Sequence, residues 1–152
     1  MYKNILVAID VDERASWESS IPIAMSLAQC FSAHVTLCSV LRDAEAASAA
    51  QWSAIAYREM LETMRARLRL VGSEACGGKV DVEVGMGTIL EGILQAARTS
   101  SADLIVISSH RPGIKDHFIS ANAARVARRA PCSVLIVRDE MATLQDGLER
   151  SL

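Results

Sequence analysis

The sequence predicts an α/β domain built on an open, doubly wound, five-stranded parallel sheet with helices on both faces. Three observations carry this reading. Five short apolar runs, dominated by β-branched residues and leucine, recur along the 152 residues. Amphipathic helical stretches separate them, so the order is βαβαβαβαβ. No internal repeat interrupts that order. Strands joined through helical crossovers pair in parallel, and the crossovers are right-handed. The length fits one domain with a full core.

The runs are KNILVAI (3–9), HVTLCSVL (34–41), KVDVEV (79–84), DLIVIS (103–108) and SVLIV (133–137). Buried strands have this composition. In the third run Val80, Val82 and Val84 alternate with Asp81 and Glu83. One wetted face predicts an edge strand. Over 14–30, Trp17, Ile21, Ala24, Met25 and Ala28 share one helical stripe. Over 48–70 the stripe is Met60, Leu61, Met64 and Leu68, and over 88–99 it is Ile89, Ile93, Ala96 and Ala97. The last helix, 120–129, turns Val126, Ala127 and Ala130 inward and leaves Arg125, Arg128 and Arg129 solvated; Pro131 stops it. The alanine-rich stretch 42–53 has weak periodicity and reads either as a mobile loop or as the fraying start of the long helix. The domain spans 1–138. A tail, 139–152, is open between an amphipathic turn or two and disorder.

Composition narrows the function classes. The net charge of -2 lacks the basic surplus of a dedicated nucleic-acid binder. No apolar run approaches a membrane span. The first residues, MYKNILVAID, enter a strand directly without a small-residue cleavage site, so the expected location is cytoplasmic. None of the four cysteines makes a CxxC pair or a zinc spacing. Cys30, Cys38 and Cys132 read as buried reduced thiols, and Cys76, in GSEACGGK, as the exposed one.

Doubly wound sheets bind ligands beyond the carboxyl ends of their strands, where the strand order switches. If strand 1 lies beside strand 4, two loops flank that crevice: AIDVDE after strand 1 and SSHRPGIKDHFIS after strand 4. Asp10 can receive an amino group or a ribose hydroxyl; as a structural residue it caps its own loop or the first helix. The strand-end amides after Ile107 face outward, and Arg111 can pair bidentately with phosphate oxygens. Ser120 opens a helix, whose free N–H groups and dipole attract anions, or it is simply the N-cap. Ser109 and His110 are neighbours at a strand end with no acid to orient the imidazole, so a hydrolytic triad is not supported.

These residues resemble the universal stress protein family over roughly 1–138. ILVAID, VEVG with ILEGILQAA, ADLIVISSHRP and SANAARVARRAPCSVLIV carry the likeness, and the Ser-His-Arg-Pro loop is similar to that of short single-domain bacterial members. The resemblance implies strand order 3-2-1-4-5, a Rossmann-like sheet of the adenine nucleotide alpha hydrolase kind. It implies a homodimer through the last strand, Ser133, Val134, Leu135, Ile136 and Val137, an apolar edge that needs cover. Many members bind ATP, which implies a site at Ala8, Ile9, Asp10 and Val40, with Gly85 near the pocket mouth or acting as a turn residue. Ile107, Ser108, His110, Arg111, Ser120, Ala121 and Asn122 supply its phosphate side. The family's glycines are replaced there by Ser108, Arg111 and Ser120, although backbone close to phosphate often needs glycine.

The expected function is a dimeric regulatory protein, not an enzyme. It binds ATP or a related adenine nucleotide, with or without Mg, and signals through an unidentified protein partner. The alternative is a nucleotide-free dimeric interaction module that has lost the phosphate loop. No nucleic-acid partner and no membrane span are expected.

Overall fold

The computed structural model describes residues 1–51, 53–109 and 118–138, without the side chains of residues 49, 50 and 118–121. His110, Arg111, the tail 139–152, and the side chains of Ser120 and Ala121 therefore lie outside the described residues. The elements are β1 (Asn4–Ala8), a 3-10 turn (Arg14–Ser16), α1 (Ser20–Phe31), β2 (His34–Arg42), α2 (Asp43–Ala50), α3 (Ala54–Cys76), β3 (Asp81–Gly87), α4 (Ile89–Thr99), β4 (Leu104–Ser109), α5 (Phe118–Arg129) and β5 (Ser133–Arg138). All neighbouring strands pair in parallel, in the order β3-β2-β1-β4-β5. β3 lies at one edge, as its alternating pattern predicts.

The central strand explains the two-sided core. Ile5, Val7 and Ile9 pack with Ala24 and Ala28 of α1 and Leu68 of α3. Leu6 and Ala8 point the other way, to Ile93 and Ala96 of α4 and Val126 of α5. Successive side chains of a strand face opposite sides, so a strand covered on both sides must be apolar throughout.

Several expected boundaries shift for local reasons. The stretch 14–30 is not one helix. It begins as a 3-10 turn, and α1 starts at Ser20. It ends at Ser32, which takes a left-handed conformation at φ 54°. The segment 42–53 is neither loop nor fraying end: α2 is a separate helix. Its start is fixed by Glu45, whose carboxylate accepts from the Arg42 N–H at 3.1 Å, as an acidic third residue does in a capping box. α3 begins after Ser53, whose hydroxyl accepts from the Ala56 N–H at 3.0 Å, and it runs six residues past the predicted end. Gly77, at φ 65°, closes it.

Two burial expectations are corrected. Ala127 is exposed, and Ala123 takes the inward position beside Val126, since the stripe seated on β4 is the 123/126 face. Cys30 is exposed, on the outer side of α1, while Cys76 is half-buried against the core. Cys38 is fully buried, and burial pushes its thiol up to about 12.

Candidate functional site

The switch in strand order lies between β1 and β4. Ala8 pairs with Ile107, and from there β1 connects toward β2 and β4 toward β5. The two connections diverge and leave a crevice at the carboxyl ends. Asp10 leaves β1 into this space. Ser108 and Ser109 end β4 beside it.

Asp10 is first a structural residue. Its Oδ1 accepts from the Asp12 N–H at 2.9 Å, its own N–H donates to Ser16 Oγ at 2.8 Å, and its carbonyl accepts from the Glu13 N–H at 3.1 Å. The 3-10 turn thus folds back to hold the loop after β1. The Ile9 N–H donates to the Cys38 carbonyl at 2.8 Å, extending the β1–β2 ladder past Ala8. Ala8, Ile9 and Ile107 are at most 1 % exposed, so their side chains belong to the core.

Asp10 and Val40 line one cleft of about 60 Å³. Its apolar wall is Val40, Met64 and Ile89; its polar rim is Asp10, Asp12, Ser39, Arg42 and Glu45. Arg42 and Glu45 are clasped at 2.6 Å across the rim. That hydrogen bond, opposed by partial burial, holds the Glu45 carboxyl below the usual carboxylate range. Asp12 is paired with Arg67 from α3. Three carboxylates and one guanidinium line the rim, which attracts hydrogen-bond donors more than anions.

Gly85 is not a turn residue. It sits inside β3 opposite Val40. A Cβ there would lie 2.3 Å from the Gly92 carbonyl oxygen, so its missing side chain lets α4 press onto the sheet. Ser108 is 1 % exposed, and its hydroxyl has no hydrogen-bond partner. The hydroxymethyl group at this position, where the family resemblance implies a glycine, is buried. Ser120 is not the residue that precedes the helix, because α5 begins two residues earlier at Phe118. It still lies in the first turn, where N–H groups lack intrahelical acceptors. Asn122 accepts from Arg125 at 3.2 Å through its Oδ1. On the far edge, Ser133 is exposed, Val134, Leu135 and Ile136 are half-buried, and Val137 is buried.

The structure therefore brings Ala8, Ile9, Asp10, Val40, Ile107 and Ser108 to one end of the sheet. Sequence reasoning missed Asp12, Ser39, Arg42, Glu45, Met64 and Ile89. The available signal was Arg42 and Glu45, three apart where a strand meets a helix. Weak periodicity hid it. Among the described residues no group of three or more His, Cys, Asp or Glu could hold a metal ion. Among them, too, no helix is long and apolar enough to cross a membrane.

The family model described as the universal stress protein family matches residues 1–138. The chain belongs to the universal stress protein family. Solved structures of universal stress proteins share its fold. One in complex with cAMP is 19 % identical, with 90 % of this chain and 96 % of that chain covered and a TM-score of 0.61. One from Lactobacillus plantarum is 22 % identical, with 90 % and 98 % covered and a TM-score of 0.60. One from Archaeoglobus fulgidus in complex with dAMP is 19 % identical, with 89 % and 97 % covered and a TM-score of 0.50. At these identities the likeness is one of fold. It agrees with the strand order and with the helices on both faces of this universal stress protein.

Proposed function

We propose that this universal stress protein is a cytoplasmic dimeric regulator that binds ATP or a related adenine nucleotide, with or without Mg, and signals by changing its contacts with a protein partner. The observation that carries the reading is the convergence of Asp10 and Val40 on one cleft beside the switch point. Relatives of the same fold were solved with cAMP and dAMP, which supports an adenine nucleotide as ligand. Ser108, buried at the end of β4, offers no exposed side chain there. In this reading the apolar wall takes the base, and Asp10 takes an amino or hydroxyl donor. β5, an apolar edge strand, pairs with its twofold mate. The protein does no chemistry of its own.

One observation favours the second reading, a nucleotide-free interaction module. The cleft of about 60 Å³ is narrow, and its rim carries three carboxylates.

The deciding experiment is to purify the protein without added ligand, denature it, and analyse the supernatant by anion exchange with ultraviolet detection. Titration calorimetry with ATP, ADP and AMP follows. Stoichiometric adenine nucleotide, or a micromolar heat signal weakened by Asp10→Ala, supports the first reading. An empty protein that gives no heat with millimolar nucleotide establishes the second.

A further inference from the structure

We propose that the outer edge of β3 takes an extended segment of a partner protein as a sixth strand, with a basic-acidic-basic triplet centred opposite Val82. β3 forms a ladder with β2 on one side. Its other edge meets no strand among the described residues, and such an edge presents main-chain N–H and C=O groups for pairing. The Met86 N–H donates to Gln95 Oε1 of α4 at 3.3 Å, so that amide lies outside the β2–β3 ladder. Main-chain groups of alternate strand residues face the same side, so Val82 and Val84 present theirs on that outer edge too. Gln95 caps the edge at its carboxyl end and leaves Val82 and Val84 open.

Two grooves flank the start of this edge, and Asp81 and Val82 line both. The groove on the α3 side has about 550 Å³ and is walled by Arg69, Gly72 and Val80. A Cβ on Gly72 would stand 2.7 Å from Val80, so the helix wall is bare and close to the strand there. The groove on the α4 side has about 380 Å³, with His34, Thr36, Glu83 and Thr99 in its lining. The two lie on opposite faces of the sheet. Val80 and Val82 pack with the α1–α3 core, so Asp81 and Glu83 face the other way. A strand laid against β3 therefore sends alternate side chains into the two grooves.

Charge selects the occupant. Arg69 and Asp81 are exposed, and the ion pairs among the described residues use none of Arg69, Asp81 and Glu83. The position opposite Val82 faces the Arg69 guanidinium and fits a carboxylate. Its two neighbours stand opposite Asp81 and Glu83 and fit Lys or Arg, because opposite charges directly across a strand pair stabilise it. A second copy of β3 fits worse, since it brings its own Asp81 and Glu83 to the same edge. The triplet reads the same in both directions, so parallel and antiparallel addition are served alike. This surface lies toward the amino end of β3, whereas the candidate cleft lies at the carboxyl ends of the strands, so both can be occupied together.

The test uses the full chain without nucleotide, so its failure leaves the nucleotide reading untouched. The probe is a blocked peptide, Thr-Val-Lys-Glu-Lys-Val-Thr, titrated against the amide NMR spectrum. The Val82 and Val84 amides are expected to shift and to gain protection from exchange, with half-saturation below about 1 mM peptide. Arg69→Glu should weaken binding about fivefold, the upper measure of one exposed ion pair. A peptide with Lys in place of the central Glu should regain that loss on the Arg69→Glu chain. The amide spectrum of the variant reports its fold. Methylating the peptide nitrogens tests strand pairing itself, because only alternate amides of an added strand face β3. Methylation of the central Glu amide and of the two Lys amides should differ: one abolishes binding and the other leaves it within about twofold. No shift up to about 5 mM peptide overturns the proposal. So does binding that Arg69→Glu leaves unchanged, or equal loss from both methylated peptides. Protection of Val82 and Val84 that rises with protein concentration in the absence of peptide assigns the edge to a second copy and overturns the proposal as well.

Discussion

Gly85 on β3 and Gly92 on α4 meet backbone to backbone: a Cβ on Gly85 would stand 2.3 Å from the Gly92 carbonyl oxygen. A Cβ on Gly92 would in turn stand 2.5 Å from a methyl group of Val40, which lines the candidate cleft. The two glycines therefore set how closely α4 lies over the part of the sheet that carries the site.

Gly85→Ala collides with main chain, which cannot swing away. It should cost about 3 kcal/mol, the upper end for overpacking. Gly92→Ala meets only a side chain and gains helix propensity of about 1 kcal/mol, so its net cost should be near 1 kcal/mol. Urea unfolding of both variants checks the order. A Gly92→Ala protein less stable than Gly85→Ala would contradict this account.

Thiol reactivity should follow burial. Cys30 is exposed, whereas Cys38 is fully buried and its thiol is pushed up to about 12, mainly by desolvation. Cys76 and Cys132 are also raised, each mainly by burial. Iodoacetamide at pH 7.5 should label Cys30 first, with Cys38 unlabelled until the protein unfolds. Peptide mapping over time reads the order, and early labelling of Cys38 would show that the β2 core opens readily.

Two glutamates should make stability fall in acid. Glu45 is held below its ordinary value by the Arg42 hydrogen bond, and Glu91 by hydrogen bonds from Thr88. A depressed carboxyl contributes stability that is present above the unfolded value. It is lost as pH falls through the lower folded value. Stability should thus hold at pH 5 and decline below the usual carboxylate value of 4.5. Thr88→Ala breaks the capping box at α4 and should cost about 1 kcal/mol at neutral pH, with a smaller cost in acid. Thermal melts across pH 3–7 give the comparison. An equal cost of Thr88→Ala at every pH would exclude the Glu91 contribution.

The buried Ser108 hydroxyl has no partner, so removing it sacrifices no hydrogen bond. Ser108→Ala should leave stability within about 0.5 kcal/mol of the original or raise it. Guanidinium unfolding tests this, and a loss above about 2 kcal/mol would mean that the hydroxyl is bonded in solution.

The fold was legible because its signals are local or strictly periodic. Runs such as NILVA and LIVISS can only be strands buried on both faces, and helical stripes between them enforce parallel pairing. The edge position of β3 could be read from the alternation of valines with Asp81 and Glu83. The family was legible in the motifs that carry the resemblance, and the Asp10 loop in its place directly after β1; Val40, given only by that resemblance as a residue after strand 2, lies inside β2. What the sequence did not determine depended on contacts between distant segments. The Arg67–Asp12 pair joins residues 55 apart. Gly85 looked like a turn because only packing shows that its missing side chain admits α4. α2 read as either a loop or the fraying start of the long helix because alanine-rich stretches carry no face, and its start depends on one carboxylate reaching back to Arg42. Periodicity along the chain encodes which side of an element is buried. Which partner it is buried against, and which charges then meet at the rim of a cleft, is decided only when the sheet has brought the carboxyl ends of its strands together.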